Sequence, residues 1–232
     1  MGTRRRFYRQ VSVTDEHAIA LDGRLVKTPM KLPLQLPRRA LAEAVAAEWA
    51  AQGAEIDPSR MIMTRLANTA IDRLRDGRAQ AEAELLDYAG SDLVCYRADR
   101  PPDLVARQAE AWDPVVDWAR TVLDAPVIVT EGLIHAPQPD AAGAACAAAA
   151  RRLSGFELAA VHALMTLSGS ALIGLMLARA ALAPERAWRA AHVDEDYQIA
   201  QWGSDAEAEA RRAVREAEFM AACRFLALLR DG

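Results

Sequence analysis

The spacing of apolar residues along this chain changes once, near residue 38, from the alternation of β-strands to the spacing of helices. The change predicts an N-terminal part with strands and a helical remainder. Before it, residues 7–13 alternate apolar and polar side chains, which is typical of a half-buried strand. Asp22-Gly23 then separates two short apolar runs and favours a tight hairpin turn, because both residues tolerate positive φ angles. Residues 32–37 alternate leucine with proline and glutamine, so they predict an edge strand or an extended arm.

From residue 38 onward the apolar spacing is helical, and alanine, the best helix former, makes up 51 of the 232 residues. The predicted helices are 38–52, 61–75, 78–88, 103–123, 140–153, 156–182, 184–202 and 204–229, with Asp140 and Ser204 as N-caps and Pro184 in a first turn. Residues 93–96 and 127–130 are the only later strand-like runs. They could pair with each other or extend the first sheet.

The first predicted helix is expected to cover the small sheet. Leu41, Val45 and Trp49 lie about one turn apart, which is the spacing of a buried helix face. Phe7 and Val11 would supply the apolar surface opposite them. We therefore predict a structural role for Trp49 in this core.

A short linker at residues 53–58 separates this part from the rest of the chain. We predict an α+β fold with two domains. Residues 1–56 would form a small β-rich domain with one covering helix, and residues 57–232 a larger, mainly α-helical domain resembling an orthogonal bundle.

Residues 158–178 contain no Asp, Glu, Lys or Arg, and their number is close to that needed to span a bilayer. The stretch is interrupted by Ser168-Gly169-Ser170, is flanked by Glu157 and Arg179, and has no aromatic belt. These features predict a buried helix, or two short helices broken at residues 168–170, and no membrane insertion.

The net charge of −4 and the pI near 5.6 argue against a nucleic-acid partner, which would require clustered cations. The distribution is uneven, because residues 1–39 are strongly basic and the remainder is acidic. Such asymmetry can steer a partner. Solvated charge on a small sheet is the alternative explanation.

The usual signatures of nucleotide, zinc and nucleophile sites are absent from the sequence. The three cysteines have no zinc or disulfide spacing, so we expect a reducing compartment, no metal and no cofactor. The four histidines, His17, His135, His162 and His192, are scattered and are expected to be surface or core residues. Catalytic groups can still converge from distant positions.

One polar helix face lies in the predicted helix 61–75. Arg65, Asn68, Thr69 and Asp72 follow the i, i+3, i+4, i+7 spacing and share one side. An ordinary amphipathic helix with an Arg65–Asp72 tie explains this pattern, and a catalytic face is the alternative. We predict structural roles for Arg65, Asn68 and Asp72.

The most unusual cluster is the acidic run Asp194, Glu195 and Asp196. Three consecutive acids repel one another unless a cationic group offsets them. Glu195 shares a helix face with Gln198 and Trp202. A solvated acidic turn is one explanation, and an anionic contact site with a tryptophan anchor is the other.

Taken in order, several segments resemble the assembly chaperone of the F-type ATP synthase that handles the α subunit of its catalytic head. They are Arg6-Phe7-Tyr8, Leu21-Asp22-Gly23-Arg24, Lys27-Thr28-Pro29, residues 47–52 and 64–72, Asp92-Leu93, Cys95-Tyr96-Arg97, Gln108, Trp112-Asp113-Pro114, residues 129–132, Asp194-Glu195, Tyr197-Gln198 and Gln201-Trp202-Gly203. The ordered match covers nearly the whole chain. Single motifs are weak, but their combination is specific.

The resemblance implies a chaperone and not an enzyme. It would bind the free α subunit and keep it soluble until the β subunit replaces it, without using ATP. The family's fold, a small β-containing domain followed by a larger helical one, agrees with the pattern analysis. Glu195 matches the acidic position on which the family's function depends, so Asp194, Glu195, Asp196, Gln198 and Trp202 become candidate client contacts, and Trp49 matches a functionally sensitive tryptophan.

Two other functions stay open on the residues alone. One is a non-catalytic binding module for another protein. The other is a hydrolase or transferase that uses Asp194, Glu195 and His192, which would need a cleft and perturbed pKa values. The family-like sequence begins almost at once, at Arg6-Phe7-Tyr8, so we expect a bacterial, cytoplasmic member that is monomeric when free, whereas eukaryotic relatives would work in the mitochondrial matrix.

Overall fold

The computed structural model describes residues 4–74, 76–132 and 136–230. His135 and the predicted helix end at Arg75 lie outside these residues. The chain divides into two compact units, of which the first comprises Met1–Arg78, Gly155–Ala160 and Ala221–Gly232, and the second comprises Ala79–Ser154 and Val161–Met220. The domain limit after residue 56 stays a prediction, and the predicted α+β fold is confirmed.

The first unit holds the antiparallel strands. Its elements are β1 (Arg4–Arg5), β2 (Val11–Val13), β3 (Ile19–Leu21), β4 (Arg24–Leu25), α1 (Arg39–Ala50), β5 (Glu55–Ile56) and α2 (Ile62–Asp72). Strands β2, β3 and β4 form one sheet in that order, and β1 pairs with β5. Asp22 and Gly23 join β3 to β4 with φ angles of 48° and 78°, which confirms the predicted turn.

The leucine–proline run is an extended arm, as predicted. Gln35 and Pro33 form isolated bridges with Ala18 and Lys27, so the arm touches the sheet without forming a full strand. The Leu34 carbonyl accepts a hydrogen bond from the Ile19 amide at 3.0 Å.

The core beneath α1 differs from the prediction in one aromatic residue. Tyr8, Leu21, Ile56 and Met61 form the buried cluster, and Trp49 packs half-buried against it. Phe7 was expected to face the helix, but 61% of it is exposed. The strand alternation fails here because residues 6–10 lie between β1 and β2, so their side chains do not follow the phase of Val11.

Helix α2 is held at both ends by residues distant in sequence. The Glu48 carboxylate of α1 accepts hydrogen bonds from the Met63 and Thr64 amides, both at 2.8 Å. At the other end, the Asp72 carboxylate accepts from the Thr28 hydroxyl at 2.5 Å and the Met30 amide at 3.0 Å. Asp72 therefore joins α2 to the turn after β4, a contact that the helical spacing did not predict.

The other two residues assigned structural roles on α2 differ in burial, and the side-chain oxygen of Asn68 is buried. Asn68 is half-buried and Arg65 is exposed, whereas the neighbouring Leu66 and Ala67 are buried. The helix is thus amphipathic. The role of the Arg65 and Asn68 side chains stays a prediction.

The remaining elements are mainly helical. They are α3 (Arg78–Gly90), β6 (Tyr96–Arg97), α4 (Pro102–Val122), β7 (Thr130–Glu131), α5 (Asp140–Arg151), α6 (Gly155–Ser168), α7 (Ala171–Ala178), α8 (Pro184–Ala191), α9 (Val193–Trp202) and α10 (Ala206–Arg230). The two later strand-like runs do meet, because β6 and β7 pair in parallel. Residues 93–95 themselves form a short 3₁₀ turn, in which the buried Asp92 carboxylate accepts from the Val94 amide.

The uncharged stretch is broken where the sequence indicated. Helix α6 ends at Ser168, Gly169 has a φ of 71°, and the Ser170 hydroxyl accepts from the Ile173 amide to begin α7. Every residue of α7 is buried. Across the part of the chain that the structure describes, no helix has the length and apolar character to cross a membrane.

The predicted single helix 184–202 is wrong, because the chain forms two helices, α8 and α9, with His192 between them. His192 has φ −122° and ψ 22°, outside the helical range. Its ring lies against Trp188, with the ring centres 3.6 Å apart, and its Nδ1 donates to the Trp188 carbonyl oxygen at 2.9 Å. This side-chain interaction lies at the break between α8 and α9, immediately before the acidic run.

Candidate functional site

The acidic run forms the first turn of α9, where carboxylates are favoured by the unpaired amides of the helix N-terminus. The Asp194 carboxylate accepts from Gln108 Nε2 at 2.7 Å. Gln108 is buried, and its side-chain Oε1 accepts from the Ala98 amide at 2.7 Å. Asp194 is therefore anchored to α4 within the second unit and is not a freely solvated acid.

Two arginines of α10 offset the other two acids. Arg215 Nη2 donates to Glu195 Oε1 at 2.7 Å, and Arg212 Nη2 donates to Asp196. Arg212 Nη1 lies 3.4 Å from Glu195 Oε2, a charge contact whose geometry falls short of a hydrogen bond. The cationic partner that the sequence required is thus supplied by residues 16 to 20 positions along the chain.

Beneath these ion pairs lies a stack of rings. Trp188 packs against Phe219 with ring centres 5.5 Å apart, and Arg212 Cζ lies 5.7 Å from the centre of the Trp188 ring. His192 is buried against Trp188, and burial lowers the pKa of its imidazole. Glu195 Oε2 is 4.0 Å from His192 Nε2 and opposes that shift, whereas Arg212 and Arg215 reinforce it.

An open groove runs between α9 and the start of α10, and we call it the α9–α10 groove. Its volume is about 530 Å³, and its lining includes Glu195, Gln198, Trp202, Asp205, Glu209 and Arg212. Trp202 is 78% exposed, and Gln198 is exposed one turn before it. The structure therefore brings Glu195, Gln198 and Trp202 to one groove, while the Asp194 and Asp196 carboxylates are occupied beside it.

The loop after Trp202 shapes the end of this groove. Gly203 ends α9 with a φ of 77°, a conformation that glycine adopts without strain. Ser204 was the predicted N-cap of α10, but the carboxylate of Asp205 accepts from the Ala208 amide at 2.8 Å instead. The Ser204 hydroxyl donates to Glu209 at 2.5 Å, so the N-cap lies one residue later than predicted and α10 begins at Ala206.

The chemistry of the groove is that of a contact surface. Glu195, Asp205 and Glu209 outnumber Arg212 along its lining, so the groove is acidic. An exposed tryptophan supplies a large, rigid apolar area of the kind that dominates binding energy at protein interfaces. The arrangement suits a basic protein surface with an apolar side chain at its centre.

The expected absence of a metal and of a cofactor stays a prediction. Within residues 4–74, 76–132 and 136–230, no group of three or more His, Cys, Asp or Glu side chains is placed to hold a metal ion. Cys95, Cys146 and Cys223 are buried thiols. Burial raises the pKa of Cys95 to about 12 and that of Cys146 to about 11, so both remain protonated near neutral pH.

The sequence and the fold match known chaperones. Residues 5–120 match the family model of the ATP12 chaperone protein. Atp12 from Paracoccus denitrificans shares 42% sequence identity with this chain, with a TM-score of 0.87, over 97% of this chain and 98% of that one. This chain belongs to the ATP12 chaperone family.

Two further solved structures agree with the ATP12 assignment. A variant of the Paracoccus denitrificans Atp12p, in which one aspartate is replaced by lysine, is 43% identical with a TM-score of 0.88, over 97% of this chain and 98% of that one. Atu1473 from Agrobacterium tumefaciens, a candidate chaperone, is 43% identical with a TM-score of 0.91, over 98% of this chain and 87% of that one. The family resemblance drawn from the sequence motifs is confirmed.

Proposed function

We propose that this ATP12-family chaperone binds the free α subunit of the F-type ATP synthase catalytic head and keeps it soluble until the β subunit pairs with it. The α9–α10 groove would be the contact surface. In this arrangement Trp202 is the apolar anchor, Gln198 adds a polar contact, and Glu195 presents negative charge. Asp194 and Asp196 hold the helix in place and extend the acidic surface.

The exposure of Trp202 carries this proposal. A tryptophan that is 78% exposed leaves apolar area in water unless a partner covers it. The neighbouring acids would favour a basic client surface and disfavour an acidic one.

The sequence contains no nucleotide-phosphate motif. We therefore also propose that protection of the α subunit needs neither ATP binding nor ATP hydrolysis by this chain. We further propose that the chaperone catalyses no reaction and acts in the cytoplasm.

Light scattering of purified α subunit tests the proposal. We expect a near-stoichiometric amount of the chaperone to suppress aggregation with no nucleotide present. Trp202→Ala should weaken suppression strongly, since interface anchors cost about 2 kcal/mol or more on truncation. Val214→Ala is the matched control, because Val214 is 62% exposed on α10 and does not line the groove.

Two results would contradict the proposal. Suppression that requires ATP turnover by this chain would overturn the nucleotide-independent mechanism. Equal activity of the Trp202→Ala and Val214→Ala proteins would remove the α9–α10 groove from the contact surface.

A further inference from the structure

A second groove lies in the first unit, beside the sheet and α1, and we call it the basic groove. Its volume is about 670 Å³, and its lining includes Arg4, Phe7, Arg24, Leu25, Lys27 and Trp49. Nothing in the proposed function uses this groove. Its size and its mixture of apolar and charged groups are those of a binding site.

The apolar part of the basic groove is open to solvent. Phe7 is 61% exposed and Leu25 is 50% exposed, although both are large apolar residues. Phe7 packs edge-on against Tyr8, and Tyr8 in turn packs against Trp49, with ring centres 5.4 and 5.9 Å apart. These contacts fix the aromatic wall, because the Tyr8 hydroxyl also donates to the Trp49 carbonyl oxygen at 2.6 Å.

One polar group in this wall lacks a partner. The indole N–H of Trp49 is buried, and no acceptor among the described residues binds it. This N–H has essentially no solvent-accessible area, so an occupant of the groove would contact the Trp49 ring and not its N–H.

The charges around the groove are positive. Arg24 and Lys27 are exposed, and neither forms an ion pair with another described residue. Asp22 is the acid in the lining, and its exposed carboxylate accepts from the backbone amides of Gln10 and Arg9, which together with the charges of Arg9 and Arg24 hold its pKa below the ordinary value. The lining therefore carries three cations against one carboxylate, next to exposed apolar surface.

We propose that the basic groove binds an acidic segment of a protein partner, with one bulky apolar side chain of that segment against Phe7 and Leu25. Carboxylates of the segment face Arg4, Arg24 and Lys27. The charge of this groove is opposite to that of the α9–α10 groove, so the two grooves would bind partner surfaces of opposite charge. The inference does not depend on the α subunit being the client.

Fluorescence anisotropy with the full-length chain tests this inference directly. The probe is a labelled octapeptide with a central Leu-Phe pair flanked by glutamates. We expect it to bind, and to bind about tenfold more weakly when the central pair is Ala-Ala or when the glutamates are replaced by lysines. Equal binding of all three peptides would overturn the proposal.

Matched charge reversals locate the site. The double variant Arg24→Glu with Lys27→Glu should weaken probe binding about tenfold or more, because it places like charges against the glutamates. Arg5→Glu with Lys31→Glu changes the net charge equally at exposed positions of the first unit that do not line the groove, and should weaken binding less than about twofold. Equal losses in both variants would show general charge attraction and contradict the site.

Discussion

Arg215 of α10 donates a hydrogen bond to Glu195 of α9 at 2.7 Å, and both side chains remain partly exposed, at 43% and 35%. The acidic residue singled out by the family resemblance is therefore part of an ion pair within the protein. Such a pair can serve stability and client contact together, because partial exposure leaves carboxylate surface for a partner. Substitution at residue 195 separates these two roles.

Glu195→Lys should lower both stability and client binding. Lysine would face Arg212 and Arg215, and the lost attraction together with the new repulsion should cost about 1–2 kcal/mol for pairs as exposed as these. That corresponds to a fall in Tm of roughly 2–8 °C for a chain of this length. Thermal melting should show a folded protein, while a pull-down should show strongly reduced α-subunit binding.

The control for this substitution is Glu110→Lys, at an exposed position of α4. It changes the net charge equally and should leave both measurements nearly unchanged. If Glu195→Lys melts as the unchanged protein does and binds the α subunit normally, then Glu195 has neither role.

His192 should make stability fall as the pH drops below about 6.5. Burial lowers the pKa of the folded imidazole, so the unfolded chain binds the proton more readily. The stability that this residue contributes is present above the unfolded pKa and is lost as the pH falls toward the folded one, at no more than about 1.4 kcal/mol per pH unit.

The ionisation of Asp92 affects the free energy of unfolding in the opposite direction, over a lower and partly overlapping pH range. Burial raises its pKa from 3.8 to about 6, so its contribution falls as the pH rises between those values. Urea unfolding of His192→Gln must therefore be compared with the unchanged protein at each pH. We expect the difference between the two to shrink from pH 7 to pH 5. A constant difference for His192→Gln would contradict the prediction.

Glu48→Ala should destabilise the first unit through α2. The substitution leaves the Met63 and Thr64 amides without their acceptor, and loss of a helix cap costs about 0.5–2 kcal/mol. Glu43→Ala is the matched control on α1, because Glu43 is exposed and pairs with Arg39 alone among the described residues, at 2.9 Å. Urea midpoints should fall clearly for Glu48→Ala and by much less for Glu43→Ala. Equal urea midpoints for the two variants would mean that water replaces the Glu48 carboxylate as the acceptor for the α2 amides.

The features that the sequence predicted correctly are those decided by neighbouring residues. Asp22-Gly23 forms the hairpin turn because its own backbone preferences require it. The break at residues 168–170 follows from a glycine with positive φ next to a serine that caps the next helix. Both signals act within a few residues, so a single sequence is enough to read them.

The features that were missed depend on residues far apart in sequence. The Glu48 cap joins two helices, and the Arg212 and Arg215 partners of the acidic run lie on another helix. Helical periodicity alone does not reveal such pairs, because each residue also fits an exposed helix face. The sequence offered Trp202 as an anchor on one face with Glu195, but only the packing of α9 shows that its side chain is 78% exposed.

Trp49→Arg should disrupt the first unit. The Trp49 ring is half-buried against Tyr8 and the core cluster, and truncation of a fully buried tryptophan costs about 3–5 kcal/mol. Arginine would lose most of that packing and would add a charge beside the cations Arg4 and Arg6, which already lie over the rings of Phe7 and Tyr8. We expect low soluble yield and rapid proteolysis, with Trp49→Phe closer to the unchanged protein because it keeps the aromatic contact. Soluble Trp49→Arg that melts as the unchanged protein does would overturn the assignment of Trp49 to the core.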